Sequence, residues 1–109
     1  MTWVKMDDAY PENPKIVGLS AGAVRLDVFG WCYCARNETD GHVPAGALVS
    51  LKGTKRQVAE LIAARRWRTN GKGGWVIHDY LKYNPSAKEL AQKRAEAKKR
   101  MDRLRDGSQ

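Results

Sequence analysis

Apolar residues at Val24, Val28, Trp31, Cys32 and Ala35 fall at i, i+4, i+7, i+8 and i+11, one face of an α-helix. Leu26, Phe29 and Tyr33 widen that face until little polar surface remains. The pattern predicts a central core helix running from an N-cap at Ser20 to about Arg36. Upstream, Trp3-Val4-Lys5 suits a short extended segment. Asn13-Pro14 supplies an N-cap and a first-turn proline for a short helix ending at Gly18. Residues 37–41 are loop by composition, and His42-Val43 predicts a minimal strand. Pro44 then opens a short helix through about Leu51, with Ala47, Leu48 and Leu51 inward and Gly53 as its breaker.

Thr54-Lys55-Arg56-Gln57 matches the capping box, in which the threonine hydroxyl and the glutamine side chain each satisfy an orphan N–H. A helix follows to about Arg66, with Val58, Leu61 and Ile62 on its inner side. Two short helices parted by a glycine-containing turn are the helix-turn-helix signature. Trp67-Arg68-Thr69 and Trp75-Val76-Ile77-His78 are β-prone, and the turn formers at 70–74 join them into a hairpin. Trp67 and Trp75 are placed to meet across it. Residues 79–85 read as extended, and Ser86-Ala87-Lys88-Glu89 is a second capping box opening a helix over 87–105. The fold class is therefore mainly α with a small β-hairpin: a winged helix-turn-helix over 1–85 and a basic C-terminal helix and tail over 86–109.

Composition sharpens this picture. The chain has 109 residues, enough for one small domain, and a formal charge of +8. Residues 1–53 carry 5 basic and 6 acidic side chains, residues 54–85 carry 7 and 2, and residues 86–109 carry 8 and 4. All the positive excess lies in the second half, the asymmetry expected of a face that meets a polyanion. The start has no signal-peptide layout and no apolar run suits a membrane span, so the cytoplasm is the expected compartment.

A helix enters the major groove of DNA with its N-terminal residues nearest the base edges. On helix 54–66, Val58 centres the inner face and Arg56, Glu60 and Ala63 lie opposite, with Lys55 and Gln57 beside them. Arg56 has the geometry for guanine, Gln57 for adenine and Glu60 for cytosine, though Glu60 equally suits a pair with Arg56. Lys55 and Arg56 oppose the helix dipole, so a partner that rewards them is the more plausible reading of a basic first turn. Arg65 and Arg66 fall in the last turn, where positive charge is favoured in any case. Arg68 on the hairpin and Lys72 at its tip are candidates for backbone contacts, with Lys52, Thr54, Lys93 and Arg94 as auxiliary phosphate contacts. On the C-terminal helix, Leu90, Ala97, Met101 and Leu104 form a thin stripe interrupted by Arg94. That stripe suits a coiled-coil seam, a basic arm on DNA or a solvated helix.

Other chemistry finds no foothold. Cys32, Cys34, His42 and His78 hold zinc-ligating atoms, but Cys-x-Cys on a helix sends the thiolates to opposite sides. Asp7, Asp8 and Asp79 form no paired-carboxylate or triad spacing with a histidine, and residues 71–74 lack the context of a phosphate-binding loop. No enzyme, metal or cofactor is expected. The rival to DNA binding is a protein-interaction module that dimerises or docks on another protein.

Several runs together resemble a known family: Trp-Val-Lys-Met-Asp-Asp at 3–8, Asn-Pro-Lys-Ile-Val-Gly-Leu-Ser at 13–20, and Cys-Tyr-Cys-Ala-Arg at 32–36. To these are added Thr-Asp-Gly-His-Val-Pro at 39–44 and Gly-Trp-Val-Ile-His-Asp-Tyr-Leu-Lys-Tyr-Asn-Pro-Ser at 74–86. Over residues 3–90 the chain resembles the N-terminal winged-helix domain of actinobacterial phage and prophage replication-initiation proteins, related to the DnaD-like replisome organisers. The resemblance implies double-stranded DNA binding, often as a dimer, at an origin or in helicase loading, in a bacterial or phage-infected host cytoplasm, and it gives the rival module a replication or host protein to dock on. The larger members continue into a helicase-interacting domain beyond the part matched here, so a stand-alone DNA-binding protein and an N-terminal fragment are both expected readings, and replication initiation and transcriptional regulation both stay open.

Overall fold

The computed structural model describes residues 3–107. In chain order the elements are α1 (Pro14–Val17), α2 (Ala21–Asn37), β1 (His42–Val43), α3 (Lys55–Ala63), β2 (Trp67–Thr69), β3 (Trp75–Ile77), α4 (Tyr80–Tyr83) and α5 (Ala87–Gly107). Two 3-10 turns complete the order, Tyr10–Glu12 before α1 and Ala45–Ala47 between β1 and α3. The architecture is mainly helical with one small antiparallel sheet.

The sheet has the order β1-β3-β2, so the hairpin strand β3 is central. His42 lies opposite Val76 and Val76 opposite Arg68, a cross-strand row whose alternate neighbours, Val43, Ile77 and Trp67, are buried. Trp67 faces Ile77 across the ladder rather than Trp75. The two tryptophans meet on the diagonal, with ring centroids 6.1 Å apart. At the tip, the Asn70 side-chain oxygen accepts from the backbone N–H groups of Lys72 and Gly74, and Gly71 and Gly73 take the positive φ that the loop needs.

α2 is the central helix, capped by the Ser20 hydroxyl, which accepts from the Ala23 N–H. Its buried face is Ala23, Leu26, Asp27, Gly30, Trp31, Cys34 and Ala35, rotated from the sequence-predicted stripe. Cys32 is exposed, and Val24 and Val28 are only partly covered. The rotation follows from Asp27. Its carboxylate is fully buried and accepts hydrogen bonds from Tyr10 Oη (2.6 Å), Trp67 Nε1 (2.8 Å), and Arg66 Nη2 (3.1 Å) and Nε (3.3 Å). Hydrophobic periodicity discounts a charged residue that its neighbours fully satisfy. Gly30 lets Trp67 lie against the α2 backbone, where a Cβ would stand 2.6 Å from the indole ring.

Three expected elements differ. The helix over 44–51 is a 3-10 turn followed by non-helical turns that end in Lys52 at φ +57°. Ala47 and Leu51 are buried as expected, but Gly46 and the largely exposed Val49 give a regular helix little to pack against. Gly53 matters for close approach, because a Cβ there would meet Leu26 and Leu48 at 2.6 Å. α3 stops at Ala63 rather than Arg66, because Arg65 turns left-handed (φ +61°) and swings Arg66 into the core. Finally, residues 79–85 are not extended: α4 places Tyr80 and Tyr83 three residues apart, both against the Trp31 ring at 5.5 and 6.3 Å.

Asn84 ties the N-terminal segment down by accepting from the Lys5 N–H and donating to the Lys5 carbonyl. α5 starts at the expected capping box of Ser86 and Glu89, and the Asp40 carboxylate also accepts from the Ala87 N–H. Beyond Leu90 the helix leaves the body, and residues 91–106 are all exposed. The molecule accordingly measures 61 × 30 × 21 Å, with a radius of gyration of 17.2 Å against about 13 Å for a compact chain of this length.

Candidate nucleic-acid interface

The solvent face of α3 carries Lys55, Arg56, Ala59, Ile62 and Ala63. Val58 and Leu61 anchor the opposite face, buried in the core. The helix begins where the sequence predicts, with Thr54 Oγ1 accepting from the Gln57 N–H at 3.2 Å and Gln57 Oε1 accepting from the Thr54 N–H at 3.0 Å. No acidic residue occupies the first turn. Lys55 and Arg56 therefore add their charge to the positive end of the helix dipole.

Two residues assigned to base contacts are engaged elsewhere. Gln57 spends its oxygen in the capping box, and its amide nitrogen lies over Gly22 of α2, where any Cβ would collide with it. Glu60 accepts from the Ser20 N–H (3.0 Å) and from Ser20 Oγ (2.8 Å), so it holds the start of α2. Those bonds, followed by the charge of Arg56, hold its carboxyl below the usual range. Thr54 is likewise a cap. Spacing gives the Thr54–Gln57 pair but no sign of the other, since Ser20 is 40 residues from Glu60.

Others change place. Ile62, expected inward, is 37% exposed on the outer face of α3. Arg25, not singled out in the sequence, joins Lys52 at the entrance to α3 by donating from Nη2 to the Lys52 carbonyl at 3.5 Å. Arg66 leaves the surface altogether. Besides Asp27 it stands over the Tyr10 and Trp31 rings at 5.4 and 5.8 Å, which neutralises one cation of the basic central segment.

On the sheet, Arg68 and Lys72 are exposed, Arg68 beside Val76 and Lys72 at the hairpin tip. Gly74, at the base of that tip, closes on the turn leading to α3: a Cβ there would stand 2.6 Å from the Val43 carbonyl oxygen and 3.0 Å from Pro44 Cα. In the C-terminal helix Lys93 is exposed. Arg94 instead forms a two-pronged pair with Glu38, at 2.6 and 3.4 Å, and that carboxylate holds the guanidinium in its charged form.

No known protein family, curated protein or solved structure matches the chain. The local chemistry is therefore the guide. Among the described residues no group of three or more His, Cys, Asp or Glu side chains is placed to hold a metal ion. Cys34 is buried, with its thiol pushed up to about 11 by desolvation, while Cys32 faces solvent. His42 lies on the outer row of the sheet, and His78 pairs with Asp79 at 2.9 Å. No helix among the described residues is long and apolar enough to cross a membrane.

Proposed function

We propose that this chain binds double-stranded DNA as a winged-helix module in which a 3-10 turn stands in place of the expected helix before α3, with the first turn of α3 in the major groove and the β2–β3 hairpin against the backbone. The observation that carries this reading is the exposed pair Lys55 and Arg56 at the start of a helix face otherwise made of Ala59, Ile62 and Ala63. Small residues let a helix approach base edges closely, and an arginine near its N-terminus has the fork geometry that reads guanine. Ile62 adds an apolar surface suited to a thymine methyl group. Arg25 and Lys52 flank this turn as phosphate contacts, and Arg68 and Lys72 extend the footprint onto the hairpin. Glu60, Gln57, Thr54 and Arg94 act in the fold rather than on the nucleic acid. The setting we favour is phage-type replication initiation or transcriptional regulation, without catalysis, metal or cofactor.

Selection from a random duplex pool tests the assignment of α3. Arg56→Ala relaxes the preferred sequence at one or two positions and weakens binding to the selected site by about 1–3 kcal/mol. An unchanged preference removes α3 from the reading role.

A further inference from the structure

α5 carries a heptad pattern that nothing in the DNA-binding reading uses. Leu90, Ala97 and Leu104 recur every seven residues, and Arg94 and Met101 lie four residues after the first two of them. These are the d and a positions of a coiled-coil seam. Arg94, the one polar seam residue among the described residues, is drawn off to Glu38. Past it the seam stands in solvent, with Met101 59% and Leu104 70% exposed. A solvated helix of this length gains little from its own hydrogen bonds and is ordinarily stabilised by packing.

The residues beside the seam decide what covers it. Lys93 and Arg100 occupy g positions and Lys98 an e position, whereas Glu96, Asp102 and Asp106 fall away from the seam. Two copies of α5 would set these cations against each other, which disfavours a homodimer through this helix. A membrane surface calls for a broad apolar face with aromatic or leucine anchors, wider than two positions per heptad. At its base the seam opens onto a groove lined by Leu90 together with the exposed Trp3 and Leu81. Lys5, Lys82 and Lys93 rim that groove. Its carboxylate, Glu89, is committed to Ser86.

We propose that α5 is one strand of a heterotypic coiled coil, whose partner is an amphipathic helix with an apolar seam and acidic flanks, ending against Trp3 and Leu81. This inference is independent of DNA binding, since it uses a different surface.

The test uses the full chain and three labelled synthetic peptides of about four heptads. One has leucine at a and d with glutamate at e and g. The second scrambles that composition, and the third has lysine at e and g. Fluorescence anisotropy shows saturable binding of the first peptide alone, with a gain in helical circular dichroism on mixing. Met101→Glu and Leu104→Glu, both at solvated positions that leave the body intact, each weaken it about tenfold or more. Duplex DNA binding is unchanged in both variants. Equal binding of the scrambled peptide reduces the surface to general anion attraction and overturns the proposal. A self-associated chain that Leu104→Glu returns to monomer, or Leu104-dependent binding to phosphatidylserine vesicles in place of the peptide, does the same.

Discussion

Arg66 donates to Asp27 across 3.1 Å in the interior, a contact between residues 39 apart in sequence with both side chains withdrawn from water. Asp27 accepts from Tyr10 and Trp67 as well, so one carboxylate joins the N-terminal segment, α2, the turn after α3 and β2. Burial beside Asp27 raises the Tyr10 hydroxyl well above its ordinary range, which keeps that hydroxyl a donor.

Removing the carboxylate leaves a buried guanidinium with only the more distant, partly solvated Asp79, at 4.0 Å, as counter-charge. Asp27→Ala is expected to lose about 3–5 kcal/mol of unfolding free energy, read from urea or thermal denaturation. A loss below ~1 kcal/mol, typical of an exposed ion pair, would show that the network contributes little.

Gly30 makes the close seat of Trp67 on α2. Gly30→Ala inserts a methyl group 2.6 Å from Trp67 Cζ2 and 3.3 Å from Ile77 Cδ1. Overpacking of this kind is expected to cost about 1–3 kcal/mol despite the better helix propensity of alanine. A rise in melting temperature would contradict this packing of α2 against the sheet.

Much of the local structure is legible in the sequence and the long-range polar structure is not. Both capping boxes, the Asn13-Pro14 helix start and the glycine-rich hairpin tip can be read because each motif closes within a few residues. The inner face of α2 is misread because Asp27 looks like a surface residue until Arg66, Tyr10 and Trp67 surround it. The same blindness assigns Glu60 to a base, because its partner, Ser20, caps another helix, whereas the commitment of the Gln57 oxygen to Thr54 is already readable in the capping box. The 44–51 segment has the apolar spacing of a helix but packs through Ala47 and Leu51 without completing one. Arg25 has no signal in the linear sequence, because only the fold carries it to Lys52.

The Ser20–Glu60 contact predicts a pH dependence. Glu60 titrates below its ordinary value of 4.5, so its contribution to stability is present above that value and fades as pH falls through the lower, folded-state value. An NMR titration of the Glu60 carboxyl should show a depressed midpoint in the native chain. Ser20→Ala should bring it part-way back, since the backbone N–H of residue 20 still donates. An unshifted midpoint in the native chain would contradict the contact.

Thiol labelling checks the rotated face of α2. With Cys32 exposed and Cys34 buried with its ionisation suppressed, a native chain is expected to take up one alkyl group quickly and a second only on unfolding. Mass spectrometry should place the first on Cys32. Rapid modification of Cys34 would contradict the assignment of α2's inner face.

The salt dependence of duplex binding tests the central claim most directly. Each phosphate contact contributes about 0.9 to the slope of log K against log salt. Lys55→Ala and Lys72→Ala should each lower the slope by about 1 and weaken binding to any sequence alike, and an Arg25→Ala, Lys52→Ala, Lys55→Ala triple variant should lower it by about 3. A native slope that all these variants retain would show that the start of α3 and the hairpin tip do not touch DNA.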